Sequence, residues 1–239
     1  RLEEIYKDNH EGVSGYQSDT DTISIDETII SSNTNKNNKQ FRGSSLNYNF
    51  INKGDNNYEI LPKNNFDEIT GQSVQKKYFS EKDTIKSDDL QSFTLQFTDK
   101  KLDLIDDVKG VFDQVTGVND ITGKVFRLYN AAFSRFPDSS GLYYWITKNQ
   151  SGENTYRQTC QSFIISNEFQ ETYGNSITHE EYLNALYSNI LNRDADLNGF
   201  SYWLGNLNNG AEDRSEVLMG FAESVENKAL FMETTGLTL

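Results

Sequence analysis

Asn192-Arg193-Asp194-Ala195-Asp196-Leu197-Asn198-Gly199-Phe200-Ser201-Tyr202-Trp203 is the stretch on which the reading of this chain turns. It has a copy upstream, Ser134-Arg135-Phe136-Pro137-Asp138-Ser139-Ser140-Gly141-Leu142-Tyr143-Tyr144-Trp145. Both read Arg-x-x-Asp-x-x-Gly-x-x-Tyr-Trp. The duplication runs past the motif, since Tyr187 lies 187 − 129 = 58 positions after Tyr129. The same offset joins Arg135 to Arg193, Asp138 to Asp196, Gly141 to Gly199 and Trp145 to Trp203. It continues through Gly152 to Gly210, Phe163 to Phe221, Ser166 to Ser224 and Glu168 to Glu226. Ungapped identity at one offset marks a tandem duplication, and the duplicated unit sets the architecture.

The residues around each motif are helical in period. Val125, Leu128, Tyr129, Ala132 and Phe133 fall on one face of a helix. Leu142, Trp145 and Ile146 mark a second helix that ends at Asn149 to Gly152, and Tyr156, Cys160, Phe163 and Ile164 mark a third. Phe169 and Tyr173 mark a short fourth, stopped by Gly174. In the second copy, Thr178-His179-Glu180-Glu181 is a capping box that opens the helix of Tyr182, Leu183, Leu186, Tyr187 and Ile190. Helices over 197–207, 211–223 and 225–235 repeat the order. The expectation is two all-α repeats, residues 122–176 and 177–239.

Within each motif the spacing predicts a helix-turn-helix corner. Asp138 and Asp196 stand where an N-cap accepts backbone N–H groups. Arg135 and Arg193, three residues earlier, are placed to pair with the Asp or to close the carbonyls of the preceding helix. Trp145 and Trp203 fall two turns into the new helix, toward the core. A second reading of the same residues is metal. Asp194-x-Asp196-x-Asn198-Gly199 matches the first half of an EF-hand loop, so Asp194, Asp196 and Asn198 are candidate Ca²⁺ ligands. The twelfth position, which needs a bidentate Glu, is Gly205, and the first copy replaces the charges with Phe136, Asp138 and Ser140.

The repeated residues carry a family resemblance. Leu186-Tyr187, Arg193-x-x-Asp196-x-x-Gly199-x-x-Tyr202-Trp203, Gly210, Phe221 and Ser224-x-Glu226 resemble the bacterial domain-of-unknown-function family 4214. The first copy matches through Leu128-Tyr129, Arg135, Asp138, Gly141, Tyr144-Trp145, Gly152, Phe163 and Ser166-x-Glu168. The resemblance covers about residues 122–236. It implies an all-α domain similar to phycobilisome linker domains. It also implies occurrence in S-layer, RTX-type and other secreted or surface proteins, often of marine cyanobacteria and proteobacteria.

Upstream the period changes. Leu46, Tyr48 and Phe50 alternate with Asn47 and Asn49, and Tyr58 and Ile60 follow a Lys53-Gly54-Asp55-Asn56 turn. Phe93, Leu95 and Phe97 alternate again, ahead of Leu102 and Leu104. This predicts an antiparallel β module over 43–104, with 72–91 a charged, exposed loop. The segment Asp67-Glu68-Ile69, with Leu95-x-Phe97-x-Asp99, resembles the terminal β segments of RTX-type secreted proteins. The Gly-Gly-x-Gly-x-Asp repeats of a calcium β-roll are absent from the sequence, so calcium does not carry over to this part. Residues 105–121 predict a connecting helix or linker, and 1–42 a polar arm packed against a neighbouring subunit or a sheet edge. The fold class expected is therefore α+β, a small β module followed by two helical repeats.

The net charge of −14 disfavours nucleic acid and anionic membrane surfaces. No run approaches the roughly 20 apolar residues of a membrane helix, so no membrane insertion is expected. Arg1 is not an initiator, which predicts a mature fragment or the tail of a longer protein. The single cysteine, Cys160, reads as a small buried filler. The only histidines, His10 and His179, belong to no Ser/His/Asp, Cys/His or His-Glu-x-x-His pattern. A glycosidase carboxylate pair stays open among 36 acidic residues. No catalytic residue is nominated and no cofactor is expected beyond Ca²⁺. The expected role is a non-catalytic structural or interaction protein of a secreted or cell-surface assembly, an S-layer-like sheet, a filament or an exoprotein docking module. Its partner would be its own copies or another surface protein. The alternatives are a glycan-binding accessory domain of a secreted hydrolase and an intracellular scaffold resembling phycobilisome linkers.

Overall fold

The computed structural model of the chain describes residues 38–63, 93–174 and 176–239, and the backbone alone of Phe66–Asp67, Gln72–Ser73 and Asp83–Lys86. The described residues lie in one compact unit, Asn37–Leu239. The arm reading of residues 1–37 lies outside the described residues. The same is true of most of the RTX-like segment around Glu68 and Ile69.

Among the described residues, eight short strands come first. They are β1 (Asn38–Gln40), β2 (Tyr48–Asn52), β3 (Asn57–Pro62), β4 (Phe66–Asp67), β5 (Gln72–Ser73), β6 (Asp83–Lys86), β7 (Thr94–Gln96) and β8 (Lys101–Asp103). They form sheets of order β1-β7-β8 and β2-β3-β6 and the pair β4-β5. All pairings are antiparallel except β1 with β7. The β2–β3 turn puts Gly54, Asp55 and Asn56 at φ of 79°, 49° and 57°. Glycine reaches this left-handed region freely, and Asp and Asn tolerate it best among the other residues. Tyr48 and Phe50 turn inward, but Leu46 is exposed because Ser45–Asn47 is a 3₁₀ turn rather than strand.

The structure corrects the reading of 72–91 as an exposed loop at 72–73 and 83–86, and the rest of that stretch lies outside the described residues. Gln72–Ser73 is strand β5, and Asp83–Lys86 is strand β6, with Ile85 opposite Tyr58 on β3. Thr84 and Ile85 are β-branched and suit an extended backbone. β6 covers an edge of β3 that would otherwise leave backbone groups unpaired. The charged residues around this short run conceal it from a hydrophobicity pattern. β1 likewise comes from within the segment read as arm.

A π-helical turn, Leu104–Lys109, leads into α1 (Gly110–Asp113). Eight further helices follow: α2 (Ile121–Phe133), α3 (Ser139–Gln150), α4 (Tyr156–Ile164), α5 (Asn167–Tyr173), α6 (His179–Leu191), α7 (Leu197–Asn209), α8 (Arg214–Ala222) and α9 (Val225–Thr235). Each of the eight is opened by a side-chain cap, in order Asp120, Asp138, Thr155, Ser166, Thr178, Asp196, Asp213 and Ser224. The box at Thr178 and Glu181 is formed in both directions. These caps satisfy the orphan N–H groups of each first turn, worth about 1 kcal/mol apiece. The architecture is α+β, small sheets followed by helices.

One aromatic chain joins the two halves. Phe41 stacks on Phe97 at 4.5 Å, and Phe97 meets Phe50 at 5.9 Å. Phe50 stacks on Phe136 at 4.7 Å, and Phe136 touches Phe126, which meets Phe231 at 5.5 Å. Phe136 therefore carries the first corner into the β module. The matching residue of the second copy, Asp194, is exposed. In the helical half, α4 packs against its counterpart α8, and α2 packs against α8 as well. Cys160 is buried there, and burial pushes its thiol up to about 12.

Candidate functional site

The two corners are built alike. Each preceding helix ends on a left-handed residue, Ser134 at φ 52° and Asn192 at φ 53°. The chain reverses and Asp138 or Asp196 opens the next helix. Asp138 accepts the Gly141 N–H at 2.7 Å, and Asp196 accepts the Gly199 N–H at 2.8 Å. That hydrogen bond, reinforced by Arg193, holds the Asp196 carboxyl below the usual carboxylate range.

The arginines do more than pair with the caps. Arg193 forks onto Glu226 at 2.8 and 3.1 Å, and Arg135 forks onto Glu168 in the same way. Each also reaches its Asp, at 3.4 Å for Asp196 and 3.3 Å for Asp138. Each donates to a neighbouring backbone carbonyl, Asp194 or Phe136, at 3.1 Å. Each guanidinium also lies over a tyrosine ring, Arg193 over Tyr187 at 4.9 Å and Arg135 over Tyr129 at 5.4 Å. A two-pronged guanidinium–carboxylate pair fixes direction as well as distance, and here it ties the corner to the N-terminus of α9 or α5. The recurrence of Ser-x-Glu at the same offset was the signal for these partners. Local spacing pointed to the Asp instead.

Glycine is required at the seventh motif position. A β-carbon on Gly141 would overlap the Tyr129 hydroxyl and the Asp138 carboxylate, and one on Gly199 would overlap the Tyr187 hydroxyl. Burial, and then the nearby Asp138, raise the Tyr129 phenol above its ordinary value. Trp145 and Trp203 are half-buried and meet Phe163 and Phe221 at 5.3 and 5.7 Å. Their neighbours Tyr144 and Tyr202 are exposed.

The structure brings Asp194, Asp196 and Asn198 to the start of α7. Asp196 is engaged by Gly199 and Arg193 there, and Asn198 lies inside the helix. Among the described residues no group of three or more His, Cys, Asp and Glu is arranged to hold a metal ion. His179 is the first residue of α6, where its Nδ1 accepts from Arg214 Nε at 3.4 Å. His10 lies outside the described residues.

One further cluster lies outside the duplicated motif. Arg127 is 1% exposed, and its Nη2 reaches both carboxylate oxygens of Glu223, at 2.7 and 2.8 Å. It also donates to the carbonyls of Ala222 at 3.1 Å and Val118 at 2.7 Å. Glu223 further receives Lys228 at 3.3 Å and the Tyr156 hydroxyl at 3.3 Å. This knot joins α2 of the first copy to the end of α8 in the second. Its counterparts at the repeat offset are Ala185 and Ile165, so it stands outside the duplication.

Residues 160–231 match the family model described as Domain of unknown function (DUF4214). No curated protein matches the chain. No solved structure matches it either. The matched stretch starts in α4, takes in the whole second corner with its Glu226 partner, and ends in α9. Residues 160–231 of this chain are thus similar to the DUF4214 family, in agreement with the resemblance carried by the second copy.

Proposed function

We propose that the chain is a non-catalytic structural or interaction module of a secreted or cell-surface assembly. One observation carries the reading. In both corners the polar motif side chains are spent on one another, Arg135 on Glu168 and Asp138, Arg193 on Glu226 and Asp196. Groups locked into mutual pairs brace helices and are poorly placed to bind and turn over a substrate. The corners also present Tyr144 and Tyr202 to solvent at equivalent positions, beside the tryptophans they meet edge-on at 5.0 and 5.1 Å. Exposed tyrosines on a rigid base supply contact area at low entropic cost. Negative-stain electron microscopy with light scattering tests the reading. Regular oligomers or polymers are expected, with Tyr144→Ser/Tyr202→Ser weakening them while the circular dichroism is unchanged. A monomer at every concentration would overturn it.

The exposure of Tyr143, Tyr144 and Tyr202 also favours the glycan-binding alternative. Calorimetry against a panel of oligosaccharides separates the two. A saturable glycan signal from a monomer, lost in Tyr144→Ser or Tyr202→Ser, supports the alternative.

A further inference from the structure

A cavity of about 60 Å³ lies where the β2–β3 hairpin meets α2 and α9. Among the described residues its wall includes Lys63, Arg127 and Arg135 and no Asp or Glu. That is the reverse of the chain, which has 36 acidic residues against 22 basic ones. Arg127 and Arg135 are neutralised by Glu223 and Glu168, neither of which lines the cavity. Lys63 differs. Its Nζ donates to the Ser134 carbonyl, and among the described residues it pairs with no carboxylate. Ser134 ends α2, where the helix offers only a partial negative charge. An ammonium has three N–H groups, and this carbonyl takes one. Burial pushes Lys63 down to about 8, the response of a buried cation without a counter-ion.

We infer that this cavity binds a small free carboxylate, with its head on Lys63 and a short apolar tail against Phe50, Phe136 and Phe231. The wall divides in that way, cations and the amides of Asn49 and Asn130 beside aromatic rings. Size sets the class of ligand. A water needs about 10–15 Å³ of such space, so the cavity holds about four to six water-sized groups and suits an acetate- or propionate-sized anion. A carboxylate on the ammonium would form charge-assisted hydrogen bonds and return the lysine toward its ordinary pKa. The site is distinct from the surfaces invoked for assembly, and neither reading depends on the other.

The test is a titration of the full chain with sodium formate, acetate, propionate and hexanoate, followed by calorimetry and thermal melting at constant ionic strength. Saturable binding of acetate or propionate is expected, with hexanoate too long to bind. Lys63→Met keeps the aliphatic stem and should weaken binding about tenfold or more. No saturable binding, or equal binding by Lys63→Met, overturns the site. The wild-type protein supplies an independent readout should that variant not fold. Acetate should protect Lys63 from acylation by an N-hydroxysuccinimide ester, read by mass spectrometry. Labelling unchanged by acetate overturns the site equally.

Discussion

Tyr156 and Tyr182 close the same joint from opposite helices. Tyr156, on α4, shares its hydroxyl proton between the Lys124 carbonyl of α2 at 3.2 Å and Glu223 at 3.3 Å. Tyr182, on α6, donates to the Arg214 carbonyl of α8 at 2.8 Å. Position 124 corresponds to 182 across the duplication, and 156 to 214. Ring and cation have therefore exchanged places, and a cation still lies over each ring, Lys124 at 6.0 Å and Arg214 at 5.3 Å. What the two copies share here is the joint, while the residue at each position differs. Tyr156→Phe and Tyr182→Phe should each lower the unfolding free energy in urea by about 1 kcal/mol, the net worth of one hydrogen bond. Burial raises both phenols well above their ordinary value, so neither should ionise in a spectrophotometric titration before the protein unfolds.

Glycine at the corner answers to the tyrosine above it. Gly199→Ala should destabilise by about 1–3 kcal/mol, the cost of overpacking. Adding Tyr187→Phe removes the hydroxyl that the new methyl meets and should restore part of that loss. Chemical denaturation of the two single variants and the double variant measures the coupling. Strict additivity would contradict the overlap described.

Arg127 has the most to lose from its partner. Glu223→Leu leaves a guanidinium buried without its carboxylate, which costs about 3–5 kcal/mol. Arg193→Leu, at an exposed pair, should cost about 1 kcal/mol or less. Thermal melts of both variants should rank them in that order.

Acid should weaken the fold through its helix caps. Asp120, Asp196, Asp213, Glu181 and Glu216 all have carboxyls lowered from ordinary values of 3.8 or 4.5. For Asp120 burial works against this, and the hydrogen bonds from Thr122, Gly123 and Thr116 outweigh it. A carboxyl that binds its proton less tightly when folded stabilises the protein above its unfolded value. That contribution drains away as pH falls through the lower, folded value. The melting temperature should therefore hold above pH 4.5 and fall below it. Asp120→Asn keeps a good cap, so it should melt nearly normally at neutral pH and fall less steeply in acid.

Calcium at the second corner would have to compete with Arg193 for Asp196. Millimolar Ca²⁺ added to an EDTA-treated sample should leave the melting temperature unchanged. A rise that vanishes in Asp194→Asn would restore the half EF-hand as a metal site.

The helical half was readable because its signals are written twice. Caps such as Thr178 and Asp196, and the apolar faces around Tyr129 and Tyr187, agree at a fixed offset. Arg127 and Glu223 were not readable, since contact between the copies has no second instance with which to align. Strand β6 was hidden for another reason. Its Asp83 and Lys86 ends look solvent-facing, and only the bare edge of β3 explains its pairing. Glu168 and Glu226 were visible as repeats but lie 33 residues from their arginines, a separation that periodicity does not report.

Phe136 and Asp194 occupy one position in two copies, yet the first is sunk among Phe50, Phe112 and Phe126 while the second faces water. The ring is where the first corner meets the β module, while the acid at the same position leaves that side of the second corner in water. In a longer tandem series, the copies bearing acid there would follow one another freely, and the copy bearing the aromatic ring would be the one to which a different kind of domain is grafted.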